Sequence, residues 1–338
     1  MHSVLCKIEF YIRFDITHKK NSSSTYIGYR EQIELKNLLI GNNMNNLSGF
    51  IKRKGVLALI LLMVLVQIKA CSQTPSKSEN DGVKYNSTYS KLMKELYQHR
   101  ELPTNDLILK AALLRQGTPY VANTLENGNK EKLVVNLDST DCILFVESCF
   151  ALAQTAKSND TSYVNFCKNI QNFRYRNGIV DGYTSRIHYT SEWILQAEKN
   201  GVVKEMSREI ANTPLDQKFS FMTRKSDRYK QLKDNPENIA KIAEVEKELN
   251  SHSYHYIPKA EVPKYLEQLQ PGDMIAFCTA TEGLDLTHVG IVIDNNGKKS
   301  FIHASMDAMK VTIDHRTIVE YINGIKSNVG IRTVRATF

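Results

Sequence analysis

Apolar and polar positions along the chain follow two rhythms: helical spacing through the middle third, then the two-residue period of strands in the last. Leu107, Ile108, Ala111, Ala112 and Leu114 recur on one face of a helix predicted over 105–116, which stops at Gly117. A β-prone run, Leu133-Val134-Val135, ends at Asp138-Ser139-Thr140-Asp141. From Cys142 onward Phe145, Val146, Cys149 and Ala153 fit one helical face, so Cys142 falls in the first turn of a helix. Further helices are expected over 162–172, with Tyr163, Phe166, Cys167 and Ile170 as the buried stripe, and over 191–200, carrying Trp193. The charged stretch 205–256 predicts a solvated insertion with a short strand at 218–222 and a helix near 237–250. Beyond it, 274–277, 287–294, 299–305, 310–313 and 330–337 read as strands, and Asn295-Asn296-Gly297 as a hairpin turn. The pattern as a whole is α+β: a helical part followed by an antiparallel sheet, interrupted by a helical and loop insertion.

The N-terminal part adds an address to this fold. Residues 1–43 show no clean period and are expected to lie upstream of the native start, Met44. Over 44–71 the cluster Lys52-Arg53-Lys54 precedes an apolar run from Val56 to Val66, the layout of an export signal too short for a confident membrane span. The run ends in Ile68-Lys69-Ala70-Cys71, which resembles a bacterial lipobox with Cys71 as the lipidated residue; Lys69 departs from the usual small neutral residue. That implies an exported lipoprotein of the periplasm or cell envelope. A polar tether over 72–86 would then lead into one domain spanning 87–338.

Composition changes little in this picture. The chain has 338 residues, 42% of them hydrophobic and 24% charged, the make-up of an ordinary globular protein. Its net charge of +8 is dispersed rather than gathered into basic runs, which speaks against nucleic acid as a partner. None of the six cysteines forms a C-x-x-C pair, so neither a metal site nor a disulfide framework is expected.

The candidate chemistry centres on Cys142. At a helix start, unpaired backbone N–H groups and the positive end of the dipole favour a thiolate, the reactive form of cysteine. The same position also suits an ordinary core cysteine. Two histidines, His288 and His303, flank the predicted turn at similar distances, so they are expected as cross-strand neighbours. One imidazole could take the Cys142 proton while the other holds its ring in the right tautomer. A loop over 174–189, rich in hydrogen-bonding and aromatic side chains with Gly178 and Gly182 as turns, is the candidate substrate wall.

These residues occur in a familiar order. Gly117-Thr118-Pro119-Tyr120, Asp141-Cys142, Pro271-Gly272-Asp273, His288-Val289-Gly290-Ile291 and Phe301-Ile302-His303-Ala304-Ser305 resemble the NlpC-type papain-fold cell-wall hydrolases. Within them, Thr124-Leu125-Glu126, the stretch 133–147 and Tyr183-Thr184-Ser185-Arg186-Ile187-His188-Tyr189 look like the N-acetylmuramoyl-L-alanine amidase-like family. The resemblance, from Leu107 to the C-terminus, implies cleavage of the amide between the lactyl group of N-acetylmuramic acid and L-alanine in small muropeptides, anhydro forms favoured. It implies Cys142 as nucleophile, His288 as base and acid, and His303 or another group as orienter. Tyr120, Asp141, Arg186, His188, Tyr189 and Trp193 would contact substrate; no cofactor or metal is implied, and a monomer is expected. A γ-D-glutamyl endopeptidase on the same fold, or a non-catalytic muropeptide-binding lipoprotein, stays open at this point.

Overall fold

The computed structural model describes residues 78–338 except Asn127 and Asn129, and Cys71 with the expected signal lies outside them. Five helices come first: α1 (Ser78–Gln98), α2 (Thr104–Leu114), α3 (Cys142–Lys157), α4 (Tyr163–Arg174) and α5 (Thr190–Lys199). After α5 the chain forms β1 (Val203–Glu205), β2 (Thr213–Leu215), α6 (Pro236–Leu249) and β3 (Tyr254–Pro258). The C-terminal part contributes β4 (Met274–Thr279), β5 (Leu286–Asn295), β6 (Lys298–Ser305), β7 (Lys310–Ile313), α7 (Ile318–Gly324) and β8 (Asn328–Ala336).

The strands pair antiparallel in the order β2-β3-β8-β4-β5-β6-β7, with β1 also on β8. Alternation along the strands splits the core. Met274, Ala276, Val289, Ile291, Ile302 and Ala304 face α1 to α5, where Phe145, Val146, Cys149 and Phe150 of α3 form the fully buried centre. Ile275, Phe277, Val292, Phe301 and Ile331 face the opposite way and are covered by Ile318, Tyr321 and Ile322 of α7. The motif Pro271-Gly272-Asp273 is a joint in this sheet: buried Asp273 binds Arg335 of β8 at 2.8 Å and Asn105 of α2 at 2.7 Å.

Two expectations need correction. The tether expected over 72–86 is helical from Ser78 onward. The insertion is not simply solvated, and 218–222 is not a strand: Phe221–Arg224 forms one helical turn. Phe219 and Met222 stand three residues apart and both turn inward, joining Tyr183, Tyr189, Leu249 and Tyr254 in a separate core. Aromatic packing there outweighs the β-prone local composition.

Candidate active site

Cys142 is the first residue of α3. Asp141 caps the helix, its Oδ1 accepting from the Leu144 backbone N–H at 2.9 Å, while apolar positions one and two turns further on anchor α3 against the sheet. A short segment then fixes Tyr120 beside the thiol. Its N–H donates to the Met309 carbonyl at 3.0 Å, Thr140 donates to Pro119 and Val121 donates to Thr140. The Tyr120 ring is close enough to Cys142 and Asp141 for their charges to act on its hydroxyl.

The two histidines sit where the sheet opens. The β5–β6 ladder stops at Ile291 opposite Ile302, and beyond that point β6 pairs only with β7. His288 and His303 lie past the last rung as the cross-strand neighbours expected, diagonal to one another across the two-residue turn Asn296-Gly297, both at positive φ. His288 Nε2 and His303 Nδ1 are 2.6 Å apart. The backbone N–H of Val289, the residue after His288, acts on the Cys142 thiol, which sets that thiol beside β5. On the far side of His303, Nε2 faces Asp314 Oδ2 at 3.4 Å, and Arg316 holds that carboxylate through Nε at 2.9 Å and Nη2 at 2.8 Å.

Burial dominates the electrostatics. It pushes the Cys142 thiol up to about 12, with the charge of Asp141 adding to the effect and the N–H groups of Ile143, Val289 and Cys142 opposing it. Burial likewise lowers His288 to about 3, aided by His303, and His303 to about 4 against the pull of Asp314. Phe277, Phe301 and Tyr321, with ring centroids 6.4, 6.5 and 6.1 Å from His288, supply that apolar surround. The thiolate expected at the helix start is therefore not the resting form. The thiol and both imidazoles are neutral at rest.

The other expected contact residues gather around a cavity of about 190 Å³ on the flank of α3. Asp141, Arg186, His188, Tyr189 and Trp193 all line it, beside Thr124, Glu126, Glu147 and Arg174. Several are already engaged. Arg186 binds Glu126 at 2.7 Å, His188 Nε2 bonds the Tyr183 carbonyl at 3.0 Å, and the Tyr189 hydroxyl donates to Glu246 at 2.7 Å. Trp193 stacks on Phe173 with 5.0 Å between centroids, yet its buried Nε1–H has no hydrogen-bond partner among the described residues. Tyr189 and Trp193 thus line the cavity from within the core.

Two features escaped the sequence reading. Asp314 became visible only with the β6–β7 register, which sets His303 opposite Thr312. The buried pair of Glu147 with Arg174, 3.1 Å from Nε, joins α3 to α4 beneath the cavity. An acidic residue five positions after Cys142, amid the mostly apolar first three turns of α3, was the available signal for the second.

The sequence matches the family described as N-acetylmuramoyl-L-alanine amidase-like over residues 111–331. Among solved structures it is similar to an N-acetylmuramoyl-L-alanine amidase from Bacteroides uniformis, 34% identical over 70% of this chain and 99% of that one, with a TM-score of 0.67. A Bacteroides fragilis protein provisionally named a xylanase is 37% identical over 66% of this chain and 98% of its own, with a TM-score of 0.64. A Legionella pneumophila protein at 20% identity, covering 75% of this chain and 95% of its own, shares the fold with a TM-score of 0.57. Comparison with curated proteins gives no match.

Proposed function

Because this chain belongs to the N-acetylmuramoyl-L-alanine amidase-like family, we propose that it is a cysteine amidase of the NlpC-type, papain-like class, acting on muropeptides. It hydrolyses the amide between the lactyl carbonyl of N-acetylmuramic acid and L-alanine, with small anhydro-sugar muropeptides as preferred substrates. The observation that carries this reading is the imidazole pair, 2.6 Å apart, at a fork in the sheet next to Val289, whose N–H acts on the Cys142 thiol.

His288 takes the Cys142 proton as sulfur attacks the lactyl carbonyl carbon. The Cys142 backbone N–H and the Tyr120 hydroxyl meet the developing oxyanion. His288 then gives its proton to the alanine nitrogen, the C–N bond breaks and the peptide leaves. Water, deprotonated by His288, cleaves the thioester, releasing the muramyl carboxylate and restoring the thiol. The cavity beside Asp141 takes part of the bound fragment, and Cys71 tethers the exported protein to a membrane.

Glycoside cleavage, as the name of the Bacteroides fragilis relative suggests, needs two free carboxyls about a substrate bond. Here Asp141 is occupied as an N-cap and Glu147 by Arg174. The deciding experiment is mass spectrometry of products from purified anhydro-muropeptide. Release of a peptide beginning at L-alanine, lost in Cys142→Ala, is expected. A muramyl-L-Ala–D-Glu fragment with a free peptide beginning at the third stem residue would instead identify an endopeptidase, and unchanged turnover by Cys142→Ala would exclude the thiol mechanism.

A further inference from the structure

The two imidazoles of the fork do not end the chain of polar groups. His303 Nε2 is buried, makes no hydrogen bond elsewhere, and faces Asp314 Oδ2 at 3.4 Å. Asp314 is itself 4% exposed and held from every side. Its Oδ1 accepts from the Arg316 backbone N–H and Nε, both at 2.9 Å, and its Oδ2 accepts from Arg316 Nη2. Its backbone N–H donates to the Phe301 carbonyl and its carbonyl accepts from Ser300 Oγ, each at 2.9 Å, which fixes the residue to the strand that carries His303. Burial pushes this carboxyl upward, but the Arg316 hydrogen bonds and charge outweigh that and leave it below the usual range, hence ionised. The neighbouring charges are Arg316 and, at 3.7 Å and exposed, His315 on Asp314, with Asp307 acting on His303.

With both rings neutral, each carries one proton, and the 2.6 Å contact requires one ring to donate and the other to accept. Only two arrangements satisfy it. In the first, His303 holds its proton on Nε2 toward Asp314, its Nδ1 accepts, and His288 donates from Nε2. His288 Nδ1 is then an unprotonated base. In the second, His303 donates from Nδ1, His288 is protonated at Nδ1, and the bare His303 Nε2 lone pair confronts a carboxylate. An ionised Asp314 disfavours the second arrangement by lone-pair repulsion and favours the first by a charge-assisted contact.

We propose that Asp314 is a positioning residue that sets the tautomer of His288, a ring it does not touch, through His303. The consequence for chemistry rests on the amidase reading above. Nδ1 is the ring nitrogen nearer the His288 backbone, and the N–H of the next residue, Val289, acts on the Cys142 thiol. When the S–H bond breaks and the Nδ1–H bond forms, the new positive charge is shared toward His303 and the carboxylate behind it.

The test uses 15N-histidine-labelled protein without substrate, read by two-bond 1H–15N correlation near neutral pH. In the wild type both His288 and His303 are expected as Nε2–H tautomers. In Asp314→Asn the amide, its oxygen kept by Arg316, turns its NH2 toward His303 Nε2, and both rings are expected to shift to Nδ1–H. In Ser–His–Asp enzymes the corresponding carboxylate-to-amide change lowers kcat about 10⁴-fold. One ring further away, a fall on the order of 10²-fold in kcat with KM nearly constant is expected, and Asp314→Glu should restore part of it. His288 found protonated at Nδ1 in the wild type, or tautomers and kcat unchanged in Asp314→Asn, would overturn the proposal. Should Asp314→Asn not fold, Arg316→Gln, which frees the carboxylate from its anchor, should return a fraction of His288 to Nδ1–H; an unshifted spectrum there counts against it equally. A wild type that cleaves no muropeptide yet shows the Nε2–H pair would refute the amidase reading and leave this relay standing.

Discussion

Gly290 on β5 and His303 on β6 approach so closely that a Cβ at position 290 would lie 3.3 Å from that of His303 and 2.7 Å from a Phe301 ring carbon. Gly290 has the same side-chain parity as His288, two residues before it. The missing side chain opens the space across which two diagonal imidazoles meet. Gly290→Ala is therefore expected to lower stability by about 1–3 kcal/mol through overpacking and to reduce kcat by separating the rings. Urea denaturation read beside steady-state kinetics checks both; a variant as stable and active as wild type would show that the rings do not need the space.

The Glu147–Arg174 pair lies almost wholly out of solvent between α3 and α4, and Arg174 also donates to the Val134 carbonyl. Removing one partner strands a charge, whereas removing both removes the desolvation penalty as well. Arg174→Met is expected to cost about 3–5 kcal/mol, and the double variant Arg174→Met/Glu147→Leu to recover much of that. Denaturant midpoints of the two singles and the double decide it; additive losses would mean that the charges are not coupled.

Legibility in the sequence followed the range of the forces involved. Helix starts such as Asp141-Cys142 and the Asn296-Gly297 turn are local, so the N-cap and the type of loop could be read directly. Register is not local. That His288 and His303 are cross-strand neighbours could be read from the turn, but their diagonal offset came only with the β5–β6 register, and Asp314 gained meaning only when β7 settled beside β6. The dipole at Cys142 was legible too, but the burial that outweighs it arises from tertiary packing that no stretch local to Cys142 displays. At 218–222, Phe219 and Met222 are buried three residues apart, a helical spacing hidden among β-prone neighbours.

Acid should destabilise the native protein earlier than exposed histidines would require. Burial holds His188 and His288 down to about 3 and His303 to about 4, all below the ordinary value near 6.5. The unfolded chain binds those protons first, so the histidine contribution is intact above pH 6.5 and is lost as pH falls through about 4 for His303 and about 3 for His188 and His288. Thermal midpoints should decline across that window. His188→Gln, which can still donate to the Tyr183 carbonyl, should decline less steeply by the share of one proton in three. Parallel wild-type and variant curves would mean that His188 is protonated in the native state.

Tyr120 offers the sharpest separation of binding from chemistry. Burial, then the charges of Cys142 and Asp141, raise its hydroxyl above the ordinary tyrosine range, so it remains a protonated donor at any working pH. Its backbone is pinned to Met309 and, through Val121 and Pro119, to Thr140, so removing the hydroxyl should leave the segment in place. A donor aimed at the developing oxyanion acts mainly in the transition state, and losing one typically costs on the order of 10²-fold in kcat. Tyr120→Phe is accordingly expected to lower kcat by about that factor while KM, the thermal midpoint and the alkylation rate of Cys142 by iodoacetamide stay close to wild type. A rise in KM with kcat preserved would instead make Tyr120 a ground-state substrate contact, and the oxyanion would then rely on the backbone N–H of Cys142 alone.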